Sequence, residues 1–308
     1  MSRREVTDSI MPEAAPAPLV SLIMPVWQPT REWLRASVAS ALGQRGCRLE
    51  LIVVDDGCPE PAADLLKDIT DARLRVIRID HGGPAAARNA GIAAARGDWI
   101  RFMDADDVLT LDSTSHLGSL MRDDAVVAYG RTVVCDEDLR PRGVIASTLQ
   151  GNVVEACLLG RFETRCPALL FPRQVVEAAG PWDPAFFVSG DWDFVLRALE
   201  HAEVVGDERV AFYYRRHARS LSRTADVAAG EITRRLLIRK YFERHPEQRG
   251  TSLERRALAM LYRDRAEAYW YVGQHREAFT RLVRALLAEP GAGIRTLGGI
   301  IRRALRLG

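Results

Sequence analysis

The sequence predicts an α/β fold in which a Rossmann-like, mostly parallel sheet is flanked by helices and followed by a C-terminal helical extension. Short apolar runs typical of buried strands alternate with helical patterns over the first hundred residues. From Thr224 onward the pattern is almost entirely helical. The charge changes there too, since residues 1–223 carry 26 basic and 32 acidic groups whereas residues 224–308 carry 17 and 9. We therefore predict a flexible segment over 1–18, a main domain over 19–223 and the extension over 224–308.

The first hundred residues supply four strands and the helices between them. LVSLIMPVW (Leu19–Trp27) and RLELIVVDDG (Arg48–Gly57) are apolar runs, and REWLRASVASAL between them has helical spacing. A third strand over Leu74–Ile79 precedes the alanine-rich helix PAAARNAGIAAARG, with Gly97 as its stop signal. The fourth strand is the apolar part of GDWIRFMDADD. The order βαβαβαβ predicts a parallel sheet with right-handed crossovers and helices on both faces.

The remainder of the main domain has a mixed pattern. We predict a helix near Ser113–Arg122, strands near Ala125–Val134 and Ala168–Phe171, and a helix that begins at Asp191.

The extension ends in two amphipathic patterns. Ala266–Pro290 resembles a single tetratricopeptide-like hairpin with its turn at Gly273, and such a hairpin cannot bury its own apolar face. We expect it to pack on the main domain or on a second subunit. Gly293–Gly308 places apolar residues on one helical face, arginines on another, and has no acidic residue. This segment is interpreted either as a helix docked on its own domain or as a basic helix on an anionic membrane surface.

Composition argues against several classes of protein. No apolar stretch reaches the length of a membrane span, and the N-terminus has no apolar core of a secretory signal. Five cysteines without CxxC spacing indicate free thiols, so we expect a cytoplasmic protein that contacts the inner face of the cell membrane if its last helix binds lipid. No basic stripe is interleaved with aromatic residues, so no nucleic-acid partner is expected. No GxGxxG follows a strand, which disfavours a dinucleotide oxidoreductase.

The run GDWIRFMDADD leads an apolar strand directly into Asp104, Asp106 and Asp107. Three carboxylates within four residues repel one another, and a shared divalent cation would remove that repulsion. Asp104 and Asp106 can reach a Mg²⁺ or Mn²⁺ ion that also holds substrate phosphates. The alternative is a helix N-cap in a solvated loop, which suits Asp107 best.

Other polar side chains also follow predicted strands. Trp27 follows the first strand, and Asp55 and Asp56 follow the second. Because ligands of open parallel sheets bind at the carboxyl ends of the strands, we expect these residues to converge with the carboxylates after the fourth strand on one crevice.

Five segments in order resemble the motifs of family 2 glycosyltransferases with the GT-A fold. They are VSLIMPVW, LELIVVDDG, GGPAAARNAGIAAARGDWIRFMDADD, GDWDFVLRA and YYRRH, and they cover about residues 19–223. Each motif alone is weak, but five in register are strong. The resemblance implies metal-dependent, inverting transfer of a sugar from a nucleotide-diphosphate donor, most commonly a UDP-sugar, to a hydroxyl of a glycan or lipid-linked acceptor. It also implies a place in bacterial surface glycan or glycoconjugate synthesis.

The same resemblance assigns roles to residues of the nucleotide site. The DAD sequence is the DxD motif, with Asp106 as a metal ligand and Asp104 reaching the ribose or the metal shell. Asp56 is similar to the carboxylate that accepts a hydrogen bond from the base. Pro25 and Trp27 lie where such enzymes contact the nucleotide, with Trp27 against the base; the alternative for Trp27 is an ordinary core tryptophan.

For catalysis the resemblance points to Asp191 as the general base for the acceptor hydroxyl. Family members often have glutamate where Gly190 stands, so one acceptor-binding carboxylate is missing. The alternative is that Asp191 caps its helix and Asp193 is a surface charge. A catalytically silent nucleotide- or glycan-binding protein of the same fold stays open as the second reading of the whole chain.

Three further side chains have two interpretations each. Arg88 is placed beside the nucleotide or is purely structural. His217 is placed as a metal ligand near the diphosphate or is structural, in which case Arg215 and Arg216 could neutralise the diphosphate. His81 is interpreted as a loop residue.

Overall fold

A computed structural model of the protein describes residues 17–186, 188–220 and 226–289. Within these residues a nine-stranded sheet has the order β3-β2-β1-β4-β8-β6-β9-β5, with β7 paired to β6. The strands are β1 (Leu19–Val26), β2 (Arg48–Asp55), β3 (Leu74–Arg78), β4 (Trp99–Phe102), β5 (Val108–Leu109), β6 (Val126–Cys135), β7 (Pro141–Ile145), β8 (Leu169–Pro172) and β9 (Glu203–Arg215).

Helices flank the sheet and continue as the extension. They are α1 (Arg31–Leu42), α2 (Ala62–Leu65), α3 (Gly83–Ala94), α4 (Ser113–Leu120), α5 (Val154–Leu158), α6 (Arg173–Ala179), α7 (Gly190–Leu199), α8 (Val227–Arg244), α9 (Ser252–Tyr271) and α10 (His275–Ala288). Single 3₁₀ turns occur at Cys166–Ala168 and Pro246–Gln248.

The two halves of the sheet differ in strand direction. β1 pairs in parallel with both β2 and β4, and β3 continues this half in parallel beyond β2. The other half is mixed, because β8 runs antiparallel to both β4 and β6. The α/β class is confirmed, and parallel pairing joins β1 to β4 and also β6 with β9, whereas the remaining pairs are antiparallel. The short strands β5 and β7 had no readable period-2 pattern.

Two residues of the parallel half show why the chain needs its particular sequence there. Pro25 is tolerated in a central strand because β4 pairs with β1 only as far as Ile23. Gly97 is not the stop of α3, which ends at Ala94. A Cβ atom at Gly97 would lie 2.6 Å from the carbonyl oxygen of Leu19, so glycine is required where the chain passes the start of β1.

The extension packs on the main domain. Side chains of α8 and α9 lie in the same hydrophobic core as those of β4, β8 and α7. From the extension these are Leu237, Ile238, Tyr241, Phe242, Ala257 and Leu261. Ion pairs of Lys240 with Asp183 and of Arg244 with Glu200 join α8 to the same region. These contacts come from α8 and the first half of α9, whereas the predicted hairpin Ala266–Pro290 is joined to α8 by the ion pair of Arg281 with Glu231.

The predicted hairpin is formed by α9 and α10, which turn at Gly273 with φ of 77°. The small side chains Ala278 and Ala285 of α10 are buried. The amphipathic segment Gly293–Gly308 and residues 1–16 of the predicted flexible start lie outside the described residues. Within the described ranges no helix combines the length and the apolar character that a membrane span requires.

Candidate active site at the carboxyl ends of the strands

The base of the candidate site is the carboxyl edge of β1, β2 and β4. Trp27 directly follows β1, Asp56 follows β2, and Asp104 comes two residues after β4. Because these strands are parallel neighbours, the three residues leave the sheet at one edge, as predicted. Asp55, in contrast, points its carboxylate into the fold, where it accepts hydrogen bonds from the amides of Cys58 and Ala62.

Asp56 is buried and held by the start of α3. Its two carboxylate oxygens accept hydrogen bonds from the amides of Gly82 and Gly83 at 2.8 and 3.0 Å, and Nδ1 of His81 lies 2.9 Å from Oδ2. The amide groups at the start of α3 thus fix the orientation of the Asp56 carboxylate. Gly57, with φ of 73°, lets the chain turn here, because a Cβ atom would come within 3.0 Å of the His81 amide nitrogen.

Trp27 is a surface residue of the crevice and not a core tryptophan. Its side chain is 44% exposed, and its ring stacks on the imidazole of His81 with centroids 3.8 Å apart and planes inclined by 21°. His81 lies in the loop before α3, as predicted, and links Trp27 to Asp56. It follows β3 closely, so the rule that identified the other strand-end residues also applies to it.

Asp104 is held by Arg88 at the wall of the crevice. Nη2 of Arg88 donates to Oδ1 of Asp104 at 2.7 Å, and the guanidinium lies over the ring of Trp182 at 4.5 Å. Trp182 in turn stacks on Phe194 of α7, with centroids 4.4 Å apart. Asn89 fixes the loop by bonding both the amide and the carbonyl of Trp182. Arg88 thus connects the Asp104 carboxylate to the aromatic core beneath α7.

Asp106 meets His217 although 111 residues separate them in the chain. Nε2 of His217 lies 2.8 Å from Oδ2 of Asp106. Burial, followed by the charge of Asp104, raises the pKa of Asp106. On its other side the imidazole ring lies 4.7 Å from the ring of Trp33 in α1, a residue that the sequence assigned only to a helix face. Nδ1 of His217 is buried without a hydrogen-bond partner among the described residues.

Asp107 is buried, in contrast to the prediction, and Arg215 is bonded to the same loop. Asp107 is 1% exposed, so it is not part of a solvated loop, and its Oδ1 accepts a hydrogen bond from the Arg215 amide at 2.9 Å. Burial, followed by the charges of Asp106 and Asp104, raises the pKa of Asp107 well above its usual value. The Arg215 guanidinium donates to the carbonyls of Asp106 and Glu137, so it shapes the loop after β4.

Asp191 lies in the first turn of α7 and is partly exposed. Ser189 before the helix has φ of 61°, an uncommon backbone conformation for a residue with a side chain. Trp192 anchors the turn, since its Nε1 donates to the Cys157 carbonyl at 3.0 Å. A Cβ atom at Gly190 would meet only Phe186, at an ordinary 3.5 Å. The missing glutamate is therefore not excluded by crowding.

Asp193 is not the surface charge of the alternative interpretation. It is 3% exposed and forms an ion pair with Arg197 at 2.8 Å. Asp191, in contrast, is partly exposed.

The donor set suits a metal ion that is shared with substrate phosphates. In the described part of the chain, no three His, Cys, Asp or Glu side chains form a complete metal site. Mg²⁺ and similar ions usually take only one or two protein ligands beside phosphate and water. Two neighbouring ligands of an octahedral ion are about 3 Å apart, which is close to the 2.8 Å between Asp106 and His217. Burial and mutual repulsion raise the pKa values of Asp106 and Asp107, and a bound cation would offset both effects.

Comparison with known proteins identifies relatives. Residues 21–159 match the family described as Glycosyl transferase family 2. An uncharacterized glycosyltransferase of Haemophilus influenzae is 35% identical over 123 residues, which cover 39% of this chain and 49% of the relative. The Escherichia coli UDP-Glc:alpha-D-GlcNAc-diphosphoundecaprenol beta-1,3-glucosyltransferase WfaP is 26% identical over 206 residues, covering 66% of this chain and 80% of the relative. The chain spans half or less of the length of the first curated relatives it matches.

The fold has solved counterparts. The crystal structure of S. aureus TarS 1–349 in complex with UDP-GlcNAc is similar, with a TM-score of 0.60 and 14% sequence identity over 88% of this chain and 92% of that one. This likeness confirms the GT-A type of fold that the motif order predicted.

Proposed function

The chain carries a family 2 glycosyltransferase domain, and from this premise we propose that it transfers a sugar from a nucleotide-diphosphate donor to a hydroxyl acceptor, with inversion and with the help of Mg²⁺ or Mn²⁺. The observation that carries the proposal is the meeting of Asp106 and His217 beside the Arg88–Asp104 pair, at the sheet edge that also holds Asp56.

In this proposal the nucleotide base lies against the aromatic pair of Trp27 and His81. Asp56 accepts a hydrogen bond from the base, because each of its oxygens has a further lone pair beyond those used by Gly82 and Gly83. A uridine donor is supported by the UDP-GlcNAc bound to TarS and by the UDP-Glc named for WfaP.

Asp106 and His217 would hold the metal ion, with Asp104 directed at the ribose or the metal shell. When bound, the ion supplies Lewis-acid stabilisation of the departing diphosphate. Arg88 keeps Asp104 in place through its 2.7 Å hydrogen bond and is itself fixed by Trp182.

Asp191 is proposed to take the proton of the acceptor hydroxyl as it attacks from the face opposite the leaving group. Its partial exposure and its place in the rigid first turn of α7 support this role. Asp193 is unsuited because its carboxylate is buried and paired with Arg197. The acceptor named for WfaP carries a diphosphoundecaprenol group, which supports a lipid-linked acceptor and a place in bacterial surface glycan synthesis.

The deciding experiment measures hydrolysis of a panel of nucleotide sugars by the full chain, with and without Mn²⁺ or Mg²⁺. We expect slow, metal-dependent release of one nucleoside diphosphate. Binding of a nucleotide sugar with no turnover of any donor, also after addition of lipid-linked or glycan acceptors, would favour the catalytically silent alternative.

A further inference from the structure

Six large apolar side chains lie exposed on a short part of the extension. They are Trp270, Tyr271, Val272, Phe279, Val283 and Leu287, between 37 and 80% exposed. Elsewhere in the described ranges only four large apolar residues are similarly exposed, and they are scattered between residues 27 and 232. We call these six residues the outer face of the extension.

The outer face results from a helix that is apolar on two sides. α10 buries Ala278, Leu282 and Ala285. Phe279, Val283 and Leu287 follow one another at intervals of four residues and therefore form a separate stripe along the helix. An exposed apolar stripe with a tryptophan and a tyrosine at its end is typical of a surface that binds a protein partner or a membrane.

The distribution of charge along the chain indicates which kind of surface binds the outer face. The described part of the extension, residues 226–289, carries 13 basic and nine acidic groups, whereas residues 1–223 have an excess of six acidic groups. An anionic surface therefore attracts this end of the protein and repels the other. A second copy of the chain would bring the same excess of positive charge against itself.

We propose that the outer face docks the protein on the surface of an anionic lipid bilayer, with the apolar stripe in the interface and the exposed Arg276 and Arg284 at the headgroups. Binding of this kind combines buried apolar area with attraction to anionic lipid. It does not depend on the reaction proposed above, and a failure of either proposal leaves the other intact.

The test is co-sedimentation of the full chain with vesicles of phosphatidylcholine alone or with added phosphatidylglycerol, at low and high salt. We expect binding to the anionic vesicles that weakens in high salt. Replacing Phe279 and Leu287 together by serine should weaken that binding by about tenfold or more, because both lose apolar burial. The matched control replaces Val144 and Ile232 by serine; both are exposed apolar residues outside the outer face, and this variant should bind like the wild type.

A wild-type chain that stays in solution with anionic vesicles at low salt overturns the proposal. Wild-type binding by the folded Phe279→Ser, Leu287→Ser protein, checked by circular dichroism, overturns it as well. If light scattering shows that this variant turns a dimer into a monomer while vesicle binding is absent throughout, the outer face is a subunit interface. If the double variant fails to fold, the tryptophan fluorescence of the wild type and of Trp270→Phe is measured with vesicles of brominated lipid. Quenching in the wild type that is absent in Trp270→Phe supports the proposal. Equal quenching in both proteins overturns it.

Discussion

His217 at the end of β9 lies 2.8 Å from Asp106, although neither its own neighbours nor those of the aspartate in the sequence indicate the contact. The pairing of β9 with β5 and β6 creates it, because those strands bring the end of β9 next to the DxD loop. One ionisable pair therefore joins the loop after β4 to the last strand of the main domain.

We expect Asp106→Ala to abolish transfer and metal-dependent nucleotide binding while the fold stays intact. The carboxylate serves the ion and not the core, and its removal relieves repulsion with Asp104, so the melting temperature of the metal-free protein should be unchanged or higher. Calorimetric titration of nucleotide with and without Mn²⁺ measures the first effect. Asp138→Ala, at an exposed ion pair with Arg140, is the control. Unchanged Mn²⁺-dependent affinity in the Asp106 variant would show that the DxD assignment is wrong.

We expect Asp191→Asn to retain donor affinity and to lower transfer by about 10² to 10⁴-fold, the usual contribution of a positioned base. Asp193→Asn is the matched comparison on the same helix. It breaks a buried ion pair with Arg197, so it should lower the free energy of unfolding by about 3 kcal/mol while the folded fraction keeps its activity. The two variants are compared by rates at saturating donor and by urea unfolding. Loss of transfer in Asp193→Asn with normal transfer in Asp191→Asn would reverse the assignment.

Asp191 and Asp193 show which parts of the site could be predicted from the sequence and which could not. Strand ends identified Asp56, Asp104 and Asp106, because the carboxyl ends of parallel strands necessarily meet. Asp191 and Asp193 are two residues apart on a helix, so they point in nearly opposite directions, and only the packed structure determines which one is buried. The contact of Asp106 with His217 depends on sheet pairing over 111 residues, which no local pattern encodes.

His81→Ala should weaken nucleotide binding by about tenfold, since stacking of a base on an aromatic ring is worth about 1–3 kcal/mol. His81→Phe keeps the stack on Trp27 and should bind almost normally. Because the proposed effect lies in binding, KM for the donor should rise and kcat should change little. Tighter binding by His81→Ala would mean instead that the imidazole occupies the position of the base in the free protein.

Asp55 should make the stability of the protein sensitive to acid. Burial alone would raise the pKa of Asp55, but hydrogen bonds from the amides of Ala62 and Cys58 and the charge of Arg78 outweigh it, and the pKa lies below its usual value. A lowered pKa in the folded state stabilises the protein above the unfolded-state pKa of about 3.9 and loses that contribution as pH falls below it. Asp55→Asn should therefore lower the free energy of unfolding by about 1–3 kcal/mol at pH 7. Urea unfolding from neutral to acid pH should show this difference shrinking below about pH 4, and a difference independent of pH would contradict the assignment.

Removal of residues 224–308 should leave an unstable or aggregating protein. Trp182 and Phe194 lie in the hydrophobic core beneath Asp191, the candidate general base. Phe242 of α8 belongs to the same core, so truncation would expose apolar surface next to α7. In the full chain, Phe242→Ala should lower the free energy of unfolding by about 3–5 kcal/mol, because the side chain is fully buried. Ile232→Ala on the same helix, at a side chain that is 68% exposed, should change it by no more than about 0.5 kcal/mol. A truncated protein that is soluble and melts like the full chain would show that the extension is not part of the core. In that case Phe242→Ala and Ile232→Ala would also have equal free energies of unfolding in urea.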